Sequence, residues 1–276
     1  LKIGLVEMLQ RDISLALAFS SLLILSGCLV MSDKRETRIK SVQNLAPVYN
    51  VRDDAKTRRR VALTQTLGRA YNQFNAGDDV AAEKLLEEVL RQDTSSIDAW
   101  TLRATIYSKR GDVVHSGEYY RKAAQLAPQR GDVLNNYGAW LCANGYPAEA
   151  LVCFERAMAD PAYGEQPGTL ANSGGCALQA GQRDRADHDL RRALELDPSN
   201  AYALESMARN EYDKHRYFEA RAFSERRLAT TVPATASVLK LAIQIEQELG
   251  DRAAASRYQQ RLVKEFPETV AVEPRG

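Results

Sequence analysis

The sequence predicts an all-α protein, a right-handed superhelical solenoid of six helix pairs with a concave groove. Three observations carry that expectation. Glycines recur at Gly77, Gly111 and Gly145, 34 residues apart, and return at Gly181 after 36 residues and Gly250 after 69. Small and large apolar residues recur at fixed offsets around each glycine, as antiparallel helix packing requires. Ser-, Asn- and Pro-containing turns, such as Thr94-Ser95-Ser96 and Pro198-Ser199-Asn200, punctuate the units where new helices must be capped.

An interval of 34 residues matches the period of the tetratricopeptide repeat, a helix–turn–helix unit; 36 is one period plus two and 69 is two periods plus one. The missing turn residue falls at His215, within Lys214-His215-Arg216-Tyr217. A residue at such a turn adopts positive φ, which glycine does without steric cost. The repeats fall at 63–96, 97–130, 131–164, 167–200, 201–235 and 236–269, in a domain spanning 62–269. The second is the most regular: Trp100, Ala104 and Tyr107 line its first helix, Tyr120 and Ala123 its second, and Pro128 marks the exit. The third offers Leu134, Tyr137, Gly138, Leu141, Ala150, Phe154 and Ala157, and the fourth Leu170, Gly174, Ala177, Ala186, Leu190 and Ala193. The first, fifth and sixth are weaker but keep the spacing. The two extra residues of the 36-residue interval lie in Asp160-Pro161-Ala162-Tyr163-Gly164-Glu165-Gln166-Pro167-Gly168, where two prolines interrupt helix. That segment reads as a longer turn, with a local bend or added contact surface as the alternative.

Residues 13–25 are apolar apart from Ser14, Ser20 and Ser21 and fall short of the roughly 20 residues that cross a bilayer. They read as the h-region of a signal peptide spanning 1–28. It ends in Leu25-Ser26-Gly27-Cys28, which resembles the lipobox of bacterial lipoproteins, with Cys28 as the acylated residue. Acyl chains contribute about 0.8 kcal/mol per buried methylene, so lipidated Cys28 anchors the chain without a transmembrane helix. Leu29, in place of the Asp that favours inner-membrane retention, points to the outer membrane with the repeat body in the periplasm. Initiation at Leu1 or at Met8 fits this leader. Residues 29–61 read as a polar tether or linker and 270–276 as a disordered tail. Lys56, Arg58, Arg59 and Arg60 read as a solvated helix start or linker, with a lipid-headgroup or nucleic-acid contact as the alternative.

The chain carries 37 basic and 36 acidic residues, a net charge of +1, so no single-sign field steers it onto nucleic acid. His115, His188 and His215 stand apart without ligand spacing, and no nucleophile elbow, phosphate loop or dinucleotide fingerprint occurs. No catalytic residue, metal, cofactor or small-molecule substrate is expected beyond the covalent lipid on Cys28. Cys142 and Cys176 lie late in the first helices of consecutive repeats. A disulfide between them is geometrically plausible, with Cys153 as a small buried residue. Three free buried thiols are the alternative.

First helices line the groove of such solenoids, and their non-core side chains select the partner. Leu67, Tyr71 and Phe74, at i, i+4 and i+7, predict an apolar strip for one face of an amphipathic peptide, unless repeat one shifts register and buries them. Asn135, Asn136 and Asn172 can hydrogen-bond an extended peptide backbone, with turns and local capping as the alternative.

Several segments together resemble the type IV pilus biogenesis lipoproteins of the PilF/PilW family. They are the run from Asn135-Asn136-Tyr137-Gly138 to Ala139-Trp140-Leu141-Cys142, Glu149-Ala150 with Phe154-Glu155-Arg156-Ala157, Asp160-Pro161-Ala162-Tyr163, and Cys176-Ala177-Leu178-Gln179-Ala180-Gly181. The likeness runs from about 62 to 267 and includes the lipobox; it departs at His215 and in the first repeat. It implies an outer-membrane pilotin that binds the pilus secretin and promotes its localisation and multimerisation, without catalysis. The alternative is a scaffold of another cell-envelope complex, in peptidoglycan synthesis or outer-membrane assembly.

Overall fold

The turn residues spaced along the sequence are where the chain reverses. In the computed structural model, which describes residues 54–269, Gly77, Gly111, Gly145, Gly181 and Gly250 all have positive φ, and so does His215, at 58°. At the first turn Asp78 N–H donates to Gln73 O and Gly77 N–H to Phe74 O, satisfying carbonyls that the ending helix leaves unpaired. The fifth turn keeps both bonds without glycine: Arg216 N–H donates to Glu211 O and His215 N–H to Tyr212 O, each at 2.9 Å. The Arg216 side chain also pairs with the buried Glu211 carboxylate. Asp78, Asp112 and Asp251 then cap the following helices, accepting from the N–H of Ala81, His115 and Ala254.

Six helix pairs result. They are α1 (Ala55–Asn75) with α2 (Asp79–Gln92), α3 (Ile97–Lys109) with α4 (Val113–Leu126), and α5 (Gly131–Ala143) with α6 (Pro147–Met158). Then follow α7 (Gln166–Gln179) with α8 (Arg183–Leu196), α9 (Ala201–Asp213) with α10 (Tyr217–Leu228), and α11 (Ala236–Glu248) with α12 (Arg252–Glu265). A short 3₁₀ turn, Pro267–Thr269, closes the described residues. Each second helix packs against its own first helix and the next one, and successive first helices touch each other directly. This is the solenoid of helix pairs that the period predicts.

Its core is made where small residues admit large ones. A β-carbon at Gly138 would lie 2.8 Å from the ring of Phe154, which is fully buried between α5, α6 and α7. Truncating such a ring costs about 3–5 kcal/mol. Beside it Cys142 and Cys176 are joined as a disulfide between α5 and α7, with Cα atoms 5.8 Å apart, and Cys153 is a buried free thiol.

The expected tether of 29–61 ends earlier. Helix α1 begins at Ala55 because Asp54 accepts the Thr57 N–H at 2.6 Å, and Arg59 donates to Gln92 O at the end of α2. The basic run from Lys56 to Arg60 is therefore helical. The signal peptide, Cys28, the tether up to residue 53 and the tail 270–276 lie outside the described residues. Among those described, no helix is long and apolar enough to cross a membrane.

Candidate partner-binding groove

Because successive first helices touch, their side chains form one continuous inner row from α1 to α11. The strip of Leu67, Tyr71 and Phe74 does not lie on that row as a unit. Leu67 and Phe74 are half-buried against the core shared with α2 and α3, and the Lys109 ammonium lies 5.4 Å from the Phe74 ring. Tyr71 alone is exposed, at 38%. Burial raises its pKa first, followed by the charge of Asp98, with Arg130 opposing and Asp132 adding.

The three asparagines do meet. Asn172 Nδ2 on α7 donates to Asn135 Oδ1 on α5 at 3.1 Å, and Asn136 lies beside them. They line an open polar cavity of about 350 Å³ spanning α5, α7 and the start of α9. Two tyrosines complete its walls. Tyr163, from the expanded loop, sits where a β-carbon at Gly131 would lie 2.5 Å from its own, and its hydroxyl accepts from Thr169. Tyr202, on α9, packs into the space left by Gly175, where a β-carbon would stand 2.4 Å from the hydroxyl. Asp160 holds the loop in place, accepting from Gly131 N–H at 2.8 Å and Ala162 N–H at 2.9 Å. The longer turn thus packs back on α5 and supplies Tyr163 and Glu165 to the cavity wall.

Carboxylates recur along the row. Asp98 and Asp132 share one guanidinium, that of Arg130, at 2.5 and 2.8 Å. Glu165 lines the cavity with no hydrogen-bond or ion-pair partner for its carboxylate among the described residues. Glu205 accepts from Ser237 at 3.0 Å and is 4.0 Å from Arg227. Burial raises the pKa of Tyr163, the Thr169 hydrogen bond opposes this, and Glu165 and Asp132 add to it. Burial likewise raises that of Tyr202, opposed by Ser206 and aided by Glu205.

From the sequence the three asparagines are candidates, and the loop holding Tyr163 and Glu165 is an alternative contact surface; Tyr202 and Asp132 are not singled out there. Gly131 with Tyr163 and Gly175 with Tyr202 are 32 and 27 residues apart, so no repeat spacing marks either pair in the sequence. Elsewhere the histidines have local partners: His115 with Asp112, His188 with Asp189 and His215 with Tyr217. Among the described residues no cluster of His, Cys, Asp and Glu is arranged to hold a metal ion.

Comparison with known proteins agrees with this architecture. The tetratricopeptide-repeat family profile matches residues 97–130 and 168–200. The type IV pilus assembly protein PilF of Pseudomonas aeruginosa is 28% identical over 252 residues, 91% of this chain and 93% of the relative. A Haemophilus influenzae protein is 28% identical over 166 residues, 60% of this chain and 88% of its own. The crystal structure of PilW, described as a widely conserved type IV pilus biogenesis factor, superposes with a TM-score of 0.69 at 27% identity, covering 76% of this chain and 99% of that one. The Pseudomonas aeruginosa PilF structure superposes with a TM-score of 0.66 at 26% identity, covering 76% and 94%.

Proposed function

We propose that this chain, a tetratricopeptide-repeat protein homologous to PilF and PilW, acts in type IV pilus biogenesis as a pilotin. It binds a subunit of the pilus secretin in the groove of its inner helices and promotes the localisation and multimerisation of that subunit in the outer membrane. The observation that carries this reading is the likeness to a pilus assembly protein, 28% identical over 91% of the chain and 93% of that protein. The lipobox ending at Cys28 supports an outer-membrane anchor, with the repeat body in the periplasm. The mechanism is binding and delivery: the groove offers amides, phenols and carboxylates to a partner, and no bond is made or broken.

A strain lacking this protein tests the reading. It should lose heat-resistant secretin oligomers from the outer membrane and lose twitching motility, and Cys28→Ser should mislocalise the oligomers. Normal oligomers in the outer membrane of the deletion strain would sink the proposal. Within the groove, Tyr71→Ala is the cleaner probe of the first repeat, because Phe74 also packs against the core.

A further inference from the structure

The polar cavity over repeats three to five has a more definite chemistry than a generic groove. The mutual bond of Asn135 and Asn172 uses one N–H of Asn172 and one lone pair of Asn135, which leaves both N–H donors of Asn135, the second N–H of Asn172 and the Asn172 Oδ1 acceptor. Asn136 makes no side-chain hydrogen bond among the described residues. A row of unspent amide donors and acceptors matches one ligand class well: a peptide backbone in extended conformation, which presents alternating N–H and C=O groups. A compact ligand with one kind of polar group would leave half of these amides unmet.

The charges narrow the class further. The charged side chains that line the cavity, Asp132 and Glu165, are both acidic; Asp132 pairs with Arg130 and Glu165 has no cationic partner among the described residues, so the rim carries excess negative charge. Tyr163 and Tyr202 stand against this rim and offer aromatic faces, which attract cations and pack along the aliphatic stem of a long basic side chain. Both pack into the space left by the missing β-carbons of Gly131 and Gly175, which places them at the rim with no ligand present.

We propose that this cavity binds an extended peptide segment carrying a lysine or arginine, whose backbone pairs with Asn135, Asn136 and Asn172 and whose cationic head is taken by Glu165, with Asp132 beside it. The inference rests on the groove being the partner-binding surface, and it specifies the partner segment as basic at that point.

Peptide display tests it on the immobilised full chain, with a random library of extended peptides as the probe. The selected peptides should be enriched in Lys or Arg. They should bind the double variant Asn135→Ala with Asn172→Ala roughly tenfold more weakly or worse, the scale of losing hydrogen bonds to a charged or backbone group. Glu165→Gln, at an exposed side chain with no partner to lose, keeps the fold by circular dichroism and should abolish the preference for basic over neutral peptides. Selected peptides without basic enrichment that still require Asn135 and Asn172 overturn the charge assignment, while leaving the groove as the partner surface. Peptides that bind the asparagine variant as well as the parent overturn the inference as a whole, and secretin oligomers measured in the Glu165→Gln strain show whether the pilus reading stands without it.

Discussion

His215 holds a backbone conformation, φ 58°, that glycine adopts at the other five turns. A β-carbon there costs roughly 1–2 kcal/mol, and glycine returns about 0.5–1 kcal/mol of this through greater freedom in the unfolded chain. The hydrogen bond between His215 Nδ1 and the Tyr217 hydroxyl, 2.8 Å long and exposed, adds little. His215→Gly should therefore raise stability by about 0.5–1 kcal/mol and Tm by roughly 1–4 °C in a thermal scan. A lower Tm would mean that the side-chain bond outweighs the strain. This position was legible in the sequence because spacing alone marks a turn. Tyr163 and Tyr202 were not, because what seats them is a missing β-carbon on another segment, and no periodicity reports which segments approach. Leu67, Tyr71 and Phe74 sit on one helical strip, yet α2 and α3 cover its outer members and leave only Tyr71 free.

Among the elements, α5 and α7 are joined by the Cys142–Cys176 disulfide, which closes a loop of 34 residues. A cross-link of that span typically stabilises by about 2–4 kcal/mol, chiefly by restricting the unfolded chain. Reduction, or Cys142→Ala with Cys176→Ala, should lower stability by that amount in urea denaturation, and peptide mapping without reductant should recover the two cysteines linked. Recovery of both as free thiols would remove the staple. The loop after α6 carries a pH signature. Asp160 is held below its ordinary pKa of 3.8, first by the Gly131 N–H and then by the Ala162 N–H, against a smaller effect of desolvation. Because the folded value is depressed, the stabilisation is present above 3.8 and is lost as pH falls through the folded value. The Gly131 amide resonance should titrate with a midpoint below 3.8; a midpoint at or above it contradicts the docking. The run from Lys56 to Arg60 reads as a helix start, as it is, but a tether drawn to 61 runs past the true start of α1, for a related reason. Repeat spacing fixes a frame, but the cap at Asp54 decides where the helix begins, and one Asp in a charged run gives no periodic signal.

For the whole molecule, a solenoid's stability is a sum over repeats and their nearest-neighbour interfaces, so its ends open more easily than its middle. Burial follows that expectation. Helix α7 buries 169–171 and 173–177, whereas α1 buries only Ala70; at the other end α12 buries only Ala254, Ala255 and Leu262, although its partner α11 is well buried. The polar cavity lies over the well-buried middle, between α5 and α9, and Tyr71 lies over the weakly buried first repeat. Amide hydrogen exchange should therefore be slowest in α5 to α9 and fastest in α1 and α12, and reducing the disulfide should speed exchange in α5 and α7 before it affects α11. Uniform exchange along the chain would show one cooperative unit instead. If the gradient holds, the two parts of the groove differ in more than chemistry. A partner that contacts both meets a preformed polar site in the middle and an adaptable one at α1, so ordering α1 becomes part of the free energy of binding. Protection gained on adding a partner should then concentrate in α1 and change little in α7.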